Sequence, residues 1–414
     1  MRKIYLIFVL FISLGIFAQT TTLSIPSAKL KEEREITVTL PSSYEKSTTK
    51  KYPLLILLDG DYLIDPFNGT VKYGEYWDDL PEIIIVGINQ NKNNERYADC
   101  EFDETTGLPT NKGESFFEFI GYELIPFIQS KYRISPFKII AGHDTTAGFL
   151  NFYLYKESPL FNAYICMSPE LPANMEKNIP ERLKAFNQPI FYYLSTASGD
   201  LKKMHERILA LDKTAKTISN PTLNYKFDDF KGASHYSLVP YSIPNALYQI
   251  YEIYQPISIN EFNEKIVTLP SGFVDYLTKK YDQMSKTLYL DVPIRLNDFK
   301  AIEAAILKNK AYLELEKLSE VAKKSYPKSM LSDYEMGLMF EKEGDTKKAI
   351  SFYQKAYQKE EIGDLTKEMM LDKMDYLKGV AKAEKAEKEA MDAEEKEIIE
   401  EVPAETPTEE KKPE

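Results

Sequence analysis

The stretch Lys138-Ile-Ile-Ala-Gly-His-Asp-Thr-Thr-Ala-Gly148 decides the fold. Its first residues are apolar and β-branched, which predicts a buried strand. Gly142 and the polar residues after it predict a sharp turn, and the run that follows predicts a helix. In a strand–turn–helix of this kind, the residue at the turn is presented at the edge of the sheet. We therefore predict that Asp144 is presented at the carboxyl edge of a sheet.

The region around this stretch, residues 20–256, alternates short β-rich runs with helical runs. Several of the β-rich runs are apolar on both faces, as strands of a parallel sheet covered by helices must be. Alternation of this kind predicts an α/β fold with a doubly wound, mostly parallel sheet, whose sites form at the carboxyl ends of the strands. The predicted strands are Glu35–Leu40, Pro53–Leu58, Ile83–Ile88, Lys138–Gly142, Ala163–Met167, Pro189–Leu194 and Thr222–Phe227.

The turn at Asp144 has the sequence context of a nucleophile elbow, Gly-x-Ser-x-Gly. Gly142 supplies the small residue that lets strand and helix nearly touch. Thr146, followed by Ala147, stands where a second glycine is expected, so half of the steric signature is kept. Asp144 stands where the nucleophilic serine is expected.

Further motifs carry a resemblance to a known family. Over residues 20–256 the chain resembles a family of α/β-hydrolase-fold esterases that includes siderophore esterases, feruloyl esterases and esterase D-like enzymes. In such esterases the elbow reads Gly-His-Ser-x-Gly-Gly, so the resemblance implies hydrolysis of a small ester, and Asp144 departs from it. The matching features are Tyr52-Pro-Leu-Leu-Ile-Leu-Leu-Asp-Gly-Asp61, Val86-Gly-Ile with Arg96 following, Glu123-Leu-Ile-Pro-Phe-Ile, Lys131-Tyr-Arg, Ala141-Gly-His, Leu160-Phe-Asn-Ala-Tyr-Ile with Ser168-Pro, and Gly232-Ala-Ser-His235.

The chain has three histidines, which narrows the choice of a general base. His235 lies in the loop after the last predicted strand, where this fold places its base, and we expect it to be the site histidine. His143 flanks the turn and is expected to point into the sheet, and His205 is expected to be solvated on a helix. The acid that orients the base should follow the strand Pro189–Leu194. Asp200 lies in that segment, with Asp228 and Asp229 as alternatives.

The backbone N–H groups of Thr145 and Asp61 are the expected oxyanion hole. Gly60 would let the loop after Leu58 turn closely. The alternative is that Asp59-Gly-Asp61 is only a turn signal.

Two functions are compatible with Asp144 at the elbow. A carboxylate attacks esters poorly, and it could accept the donors meant for substrate, so ester hydrolysis would be reduced or lost. Alternatively the protein is an active hydrolase, either with Asp144 attacking an alkyl carbon or through Thr145 or Thr146. We find no inserted cap of the kind that the alkyl chemistry needs.

Composition argues against several functional classes. The net charge is −12, which argues against a nucleic-acid partner. Three scattered histidines give no metal-ligand spacing, and no glycine-rich phosphate loop follows a strand, so we predict neither a metal nor a cofactor. Cys100 and Cys166 are expected to be unpaired, with Cys166 a small buried hydrophobe.

Residues 1–18 predict a signal peptide, because Arg2 and Lys3 precede an apolar run and Ala18 suits cleavage. A membrane anchor is the alternative, but the run is short for a spanning helix. The mature protein is thus expected to be exported, periplasmic or secreted, without a membrane span.

After residue 256, strand-like runs disappear. Residues 257–380 predict amphipathic helices, and Ser332–Gln358 matches a tetratricopeptide pattern with Gly337, Ala349 and Tyr353 at the expected spacing. A generic helical hairpin is the alternative. This segment is a candidate docking surface for a protein partner, which makes an envelope scaffold a third possible function. Residues 381–414 are acidic and predict a disordered tail or frayed helix.

Overall fold

A computed structural model describes residues 20–400 of the chain, with side chains to residue 393. The predicted signal peptide lies outside the described residues. The described chain divides into two compact units. The first contains the residues up to Gln255 together with Gln283–Asp291, and the second contains Pro256–Asp282 and the chain from Val292 onward.

The first unit is built on one sheet, to which the described residues contribute eight strands in the order β1-β2-β4-β3-β5-β6-β7-β8. β2 pairs antiparallel with β1 and β4, and the remaining pairs are parallel. The predicted mostly parallel α/β fold is therefore confirmed. The strands are β1 (Thr20–Ser27), β2 (Glu32–Thr39), β3 (Tyr52–Leu57), β4 (Ile84–Ile88), β5 (Ile134–His143), β6 (Ala163–Met167), β7 (Ile190–Gly199) and β8 (Leu223–Ser234).

The central strands are buried on both faces. Every residue of β3 is buried, and Leu54 and Ile56 share a hydrophobic core with Phe116 and Phe119. Their neighbours in the strand point to the opposite face. Because both faces are covered by helices, the carboxyl edge of the sheet remains as the place for a site. The helices of this unit are α1 (Gly60–Tyr76), α2 (Glu95–Asp99), α3 (Asn111–Phe119), α4 (Ile125–Lys131), α5 (Thr145–Phe149), α6 (Met175–Ala185), α7 (Lys202–Ala215) and α8 (Leu238–Ile250).

The second unit is helical. In its repeat-like part, α12 packs against α13, α13 against α14, and α14 against α15. A Cβ atom on Gly337 would lie 2.6 Å from the ring of Tyr353, so two helices cross closely at this glycine. The helices after Gln255 are α9 (Ile259–Glu261), α10 (Phe273–Leu288), α11 (Leu296–Lys308), α12 (Glu314–Ser325), α13 (Leu331–Lys342), α14 (Thr346–Tyr357) and α15 (Lys367–Glu400).

The unit boundary differs from the predicted one in one respect. The helical segment was predicted over residues 257–380, whereas Gln283–Asp291, including the end of α10, groups with the first unit. The tail from Ala381 was predicted to be disordered or a frayed helix, and α15 continues to Glu400. Alanine, glutamate and lysine dominate this stretch, and all three are strong helix formers. Residues 401–414 lie outside the described part of the chain.

Cys100 and Cys166 are both buried and unpaired, as expected. Among residues 20–400, no helix combines the length and apolar character that crossing a membrane requires.

Candidate active site

Asp144 lies at a sharp turn between β5 and α5. Its backbone has φ 62° and ψ −122°, a region that a non-glycine residue occupies at a cost of about 1–3 kcal/mol. The N–H of Asp144 donates to the carbonyl of Met167 at 3.0 Å, which fixes the turn against β6. A Cβ atom on Gly142 would lie 2.8 Å from Oγ1 of Thr146. The small residue at position 142 is thus required by the close approach of strand and helix.

The structure brings His235 and Asp200 together. The two residues follow β8 and β7, which are adjacent parallel strands in which Gly199 pairs with Ser234. Nδ1 of His235 donates to Oδ1 of Asp200 at 2.7 Å. Burial alone would raise the pKa of Asp200, but hydrogen bonds, that from His235 foremost, lower the pKa to about 2. Asp200 is therefore ionised at neutral pH and orients the imidazole.

The alternative acids lie elsewhere. Asp228 and Asp229 are part of β8 itself. Asp228 accepts a hydrogen bond from the hydroxyl of Tyr193 at 2.7 Å, and Asp229 pairs with Lys231. The ionic partner of His235 Nδ1 is Asp200.

The carboxylate of Asp144 lies between the imidazole of His235 and the guanidinium of Arg96. Its Oδ1 is 3.7 Å from Nε2 of His235, and its Oδ2 is 3.3 Å from Nη1 of Arg96. The hydrogen bond that His235 donates to Asp200 raises the pKa of His235, burial opposes the rise, and the charge of Asp144 adds to it. The carboxylate at the turn thus favours the protonated imidazole.

Arg96 was missed as a site residue in the sequence. Its Nε lies 2.6 Å from Oδ1 of the fully buried Asp59, and its Nη2 donates to the carbonyl of His143 at 2.8 Å. Asp59 precedes α1 with φ 56°, so the Asp59-Gly-Asp61 stretch forms a turn whose first side chain holds Arg96. The contacts of Arg96 with Asp59 and with Asp144 join residues 37 and 48 positions apart in the chain, so no local sequence pattern indicates them.

Thr146 replaces the expected glycine with a polar contact. Its hydroxyl lies 2.6 Å from Oδ2 of Asp59 and donates its proton there. The N–H of His143 donates to the same hydroxyl oxygen at 3.0 Å. The departure from the glycine pattern therefore ties the turn to the carboxylate that holds Arg96.

His143 is the last residue of β5, and its side chain points towards His235 rather than into the sheet as expected. Its ring lies against that of His235, with centroids 4.6 Å apart and the planes tilted by 34°, and its Nε2 donates to the carbonyl of His235 at 3.0 Å. Burial, followed by the charge of His235, lowers the pKa of His143 to about 4. The ring is therefore neutral at pH 7, and its unprotonated Nδ1 faces the hydroxyl of Tyr62 at 3.2 Å. The strand ends at His143, so its side chain leaves the sheet at the site.

The two predicted oxyanion-hole residues lie at helix starts on neighbouring strands. Thr145 begins α5 after β5, and Asp61 is the second residue of α1 after β3. Backbone N–H groups in the first turn of a helix have no partner within that helix. A Cβ atom on Gly60 would lie 2.7 Å from the backbone of Gly87, so α1 starts in close contact with β4. The side chain of Asp61 is engaged with the backbone N–H of Gln90 at 2.7 Å.

A cleft of about 360 Å³ adjoins these residues. Glu170 lines it and accepts a hydrogen bond from the hydroxyl of Thr145 at 2.8 Å. Leu201, next to Asp200 in the chain, lines the same cleft and is 76% exposed. The cleft therefore lies beside the turn and can receive a ligand of small-molecule size. Its remaining lining residues are Phe102, Glu104, Leu171, Ala173, Lys203, Met204 and Arg207.

His205 was expected to be solvated, but it is partly buried. Its Nδ1 lies 3.0 Å from the hydroxyl of Thr196, so a polar contact holds its ring. Among the described residues, histidine, cysteine and acidic side chains form no group able to hold a metal ion.

Comparisons with known proteins agree with this fold. Residues 27–189 match the model of the family described as "Putative esterase". An uncharacterised protein from Capnocytophaga ochracea has a structure similar to this chain, with 29% identity, a TM-score of 0.80, and coverage of 87% of this chain and 100% of its own. The matched 87% of this chain is more than the first unit contains, so part of the helical region also has a counterpart in that structure.

An IroE-like serine hydrolase from Shewanella oneidensis shares the fold, with 18% identity, a TM-score of 0.55, and coverage of 74% of this chain and 99% of its own. No curated protein matches this chain.

Proposed function

We propose that the protein is an exported esterase-fold protein with Asp144 at the nucleophile position and with ester hydrolysis reduced or lost. The match of residues 27–189 to the family described as "Putative esterase" supports the fold and the class of substrate. The observation that carries the proposal is the pairing of Asp144 with Arg96 and His235, at 3.3 and 3.7 Å.

This pairing acts against ester hydrolysis in two ways. A carboxylate is a weak nucleophile towards an ester, and the ion pair with Arg96 lowers the availability of its electrons further. In addition, Nε2 of His235 faces a negative charge, which favours the protonated imidazole, and a protonated imidazole cannot act as a base. The elbow residue thus occupies the site and opposes the action of His235 as a base.

The experiment compares hydrolysis of short-chain nitrophenyl esters by the mature protein, Asp144→Ser, Asp144→Asn and Asp144→Ser/His235→Ala. We expect the parent and Asp144→Asn to be inert and Asp144→Ser to gain hydrolysis that the double variant loses. Asp144→Asn is the matched control, because it removes the charge without supplying a nucleophile. Hydrolysis by the parent that disappears in His235→Ala would overturn the proposal. An inert but folded Asp144→Ser would show that Asp144 alone does not block the site.

A second candidate function is hydrolysis at an alkyl carbon. It is favoured by the side chain of Asp144, which is 23% exposed beside the intact His235–Asp200 pair. An Asp144 oxygen would displace the leaving group and form an alkyl ester; water, losing its proton to His235, would then attack the ester carbonyl and release the alcohol.

Short alkyl halides and epoxides test this candidate by single turnover in ¹⁸O-labelled water. Label in the peptide containing Asp144, detected by mass spectrometry, supports it. Label found only in the released alcohol, or an absence of turnover with these probes, argues against it.

Export and partner binding complete the proposal. The charged start and apolar run of residues 1–18 support cleavage after Ala18, and mass spectrometry of protein exported by the expressing cells tests it. The closely crossing helices of the second unit support docking of a protein partner. A partner recovered equally by the parent and Asp144→Ala would bind independently of the site.

A further inference from the structure

The hydroxyl of Thr196 has two polar neighbours and one proton. It lies 2.6 Å from Oδ2 of Asp200 and 3.0 Å from Nδ1 of His205. The ionised carboxylate of Asp200 can only accept, so the hydroxyl donates to it. The hydroxyl oxygen must then accept from His205, which places a proton on Nδ1 of that ring. The direction of each hydrogen bond in this chain is thus determined.

Asp200 uses its two oxygens for different purposes. Oδ2 accepts from the hydroxyls of Ser168 and Thr196, each at 2.6 Å, and from the N–H of Ala197 at 2.9 Å. Oδ1 accepts from Nδ1 of His235 at 2.7 Å. The side chain of Asp200 is fully buried. Three donors on one oxygen leave the carboxylate a single orientation, with the other oxygen facing the imidazole.

His205 lies outside the site, on the first turn of α7. Its backbone N–H donates to the carbonyl of Leu201 at 2.9 Å, which anchors the turn that carries the ring. The ring touches neither His235 nor Asp144 in the contacts described above. Any effect of His205 on the site must therefore pass through Thr196.

We propose that Thr196 and His205 are positioning residues for the Asp200–His235 pair. His205 orients the hydroxyl of Thr196, that hydroxyl holds Oδ2 of Asp200, and Oδ1 is thereby held against His235. The inference rests on the proposed function only in taking this pair as the acid and base of the site.

Loss of the Thr196 hydroxyl has two opposite possible effects on His235. If the hydroxyl only polarises Asp200, its removal leaves more negative charge for the imidazole and raises the pKa of His235. If it positions Asp200, its removal lets the carboxylate rotate away, and the pKa of His235 falls. Arg96 and Asp144 also face His235, but they are unchanged in the variants, so the sign of the change separates the two roles.

The test is an NMR titration of the three histidine rings in the full chain. We expect Thr196→Val to lower the pKa of His235 by about 0.5 pH unit or more, and His205→Ala to lower it by less. Thr196→Ser keeps the hydroxyl, and His205→Asn keeps an N–H donor near the position of Nδ1. These two control variants should titrate like the parent.

An unchanged or raised pKa of His235 in folded Thr196→Val would overturn the proposal. If Thr196→Val does not fold, the comparison of His205→Ala with His205→Asn tests the proposal instead. His205 is partly exposed, so its side chain can be removed without leaving a cavity in the core. Equal titration of His235 in those two variants would also overturn it.

In an Asp144→Ser background, we expect Thr196→Val to lower kcat with little change in KM. If the parent hydrolyses esters in a His235-dependent way, the proposed function fails, and if Asp144→Ser is inert, Asp144 alone does not block the site; in both cases the titration still decides the roles of Thr196 and His205. The two failures are thus distinguishable.

Discussion

Oγ1 of Thr146 lies 2.6 Å from Oδ2 of Asp59 and joins the elbow turn to the buried carboxylate that holds Arg96. Burial raises the pKa of Asp59, although Arg96, Thr146 and Tyr62 stabilise its ionised form. The ionised form of a carboxylate buried to this extent is stable only while its ion-pair and hydrogen-bond partners are in place. Thr146 is therefore part of the structure that fixes Arg96 beside Asp144.

We predict that Thr146→Val lowers the free energy of unfolding by about 1–3 kcal/mol, because it removes a hydrogen bond to a buried charge and keeps the side-chain shape. Urea titration followed by circular dichroism measures the change. Thr146→Ser keeps the hydroxyl and serves as the control. Equal midpoints and slopes for the valine variant and the parent would contradict the contact.

Asp144→Asn is predicted to lower the pKa of His235, since one of the groups that raises it is lost. A group with a raised folded-state pKa stabilises the protein below its ordinary pKa, and that contribution is lost as the pH rises through the folded value. The parent should therefore lose more stability than Asp144→Asn between about pH 6.5 and the pKa of His235 in the folded protein. Thermal unfolding across this range measures the difference. Parallel pH profiles would show that Asp144 and His235 are not coupled.

His143→Gln is predicted to make the protein less sensitive to acid. The buried ring has a pKa of about 4, so the unfolded chain takes up a proton near pH 6.5 while the folded chain does not. Stability then falls as the pH drops from 6.5 towards 4, by about 3 kcal/mol for this ring alone. The variant lacks this titration and should show a shallower decline in urea titrations between these pH values. An equal decline in both proteins would contradict the neutral, buried state of His143.

Glu335 in the second unit is predicted to lower stability as the pH rises, which is opposite to the effect of His143. Its side chain is fully buried on α13, and burial, followed by the charge of Glu303, raises its pKa well above the ordinary value. The folded state therefore holds a proton that the unfolded chain loses above about pH 4.5. Stability of α11 and α13 should fall as the pH rises, and less so in Glu335→Gln.

Hydrogen exchange of the amides in α11 and α13, corrected for the intrinsic effect of pH, measures this change. The charged groups around the pair are Lys300 on α11, Glu341 on α13 and Lys373 on α15. They are present in both proteins. If the glutamine variant and the parent lose protection equally between pH 5 and 8, the carboxyl pair does not titrate as described.

The sequence predicted the central strands because apolar residues in β3, β4 and β6 have a single explanation, burial on both faces. It did not predict β1. That strand begins with three threonines, is exposed over most of its length and is held by pairing with β2, so its apolar residues form no continuous run. An edge strand of this kind takes its structure from its neighbour.

The candidate site was predictable where it follows from strand order. Asp144, Asp200 and His235 each come directly after a strand, and the carboxyl ends of parallel strands meet at one edge of the sheet. Arg96 lies on a short helix away from any strand end, and its place beside Asp144 depends on the buried Asp59. The role of Thr196 depends on hydrogen-bond directions, which no sequence pattern records.

The return of Gln283–Asp291 to the first unit has a practical consequence. No single cut separates the two units, because a fragment that ends at Gln255 lacks nine residues of its own fold. Gene truncations and domain swaps made at that point would damage both products. The roles of the two units in this protein are therefore better separated by point substitutions in the full chain than by fragments.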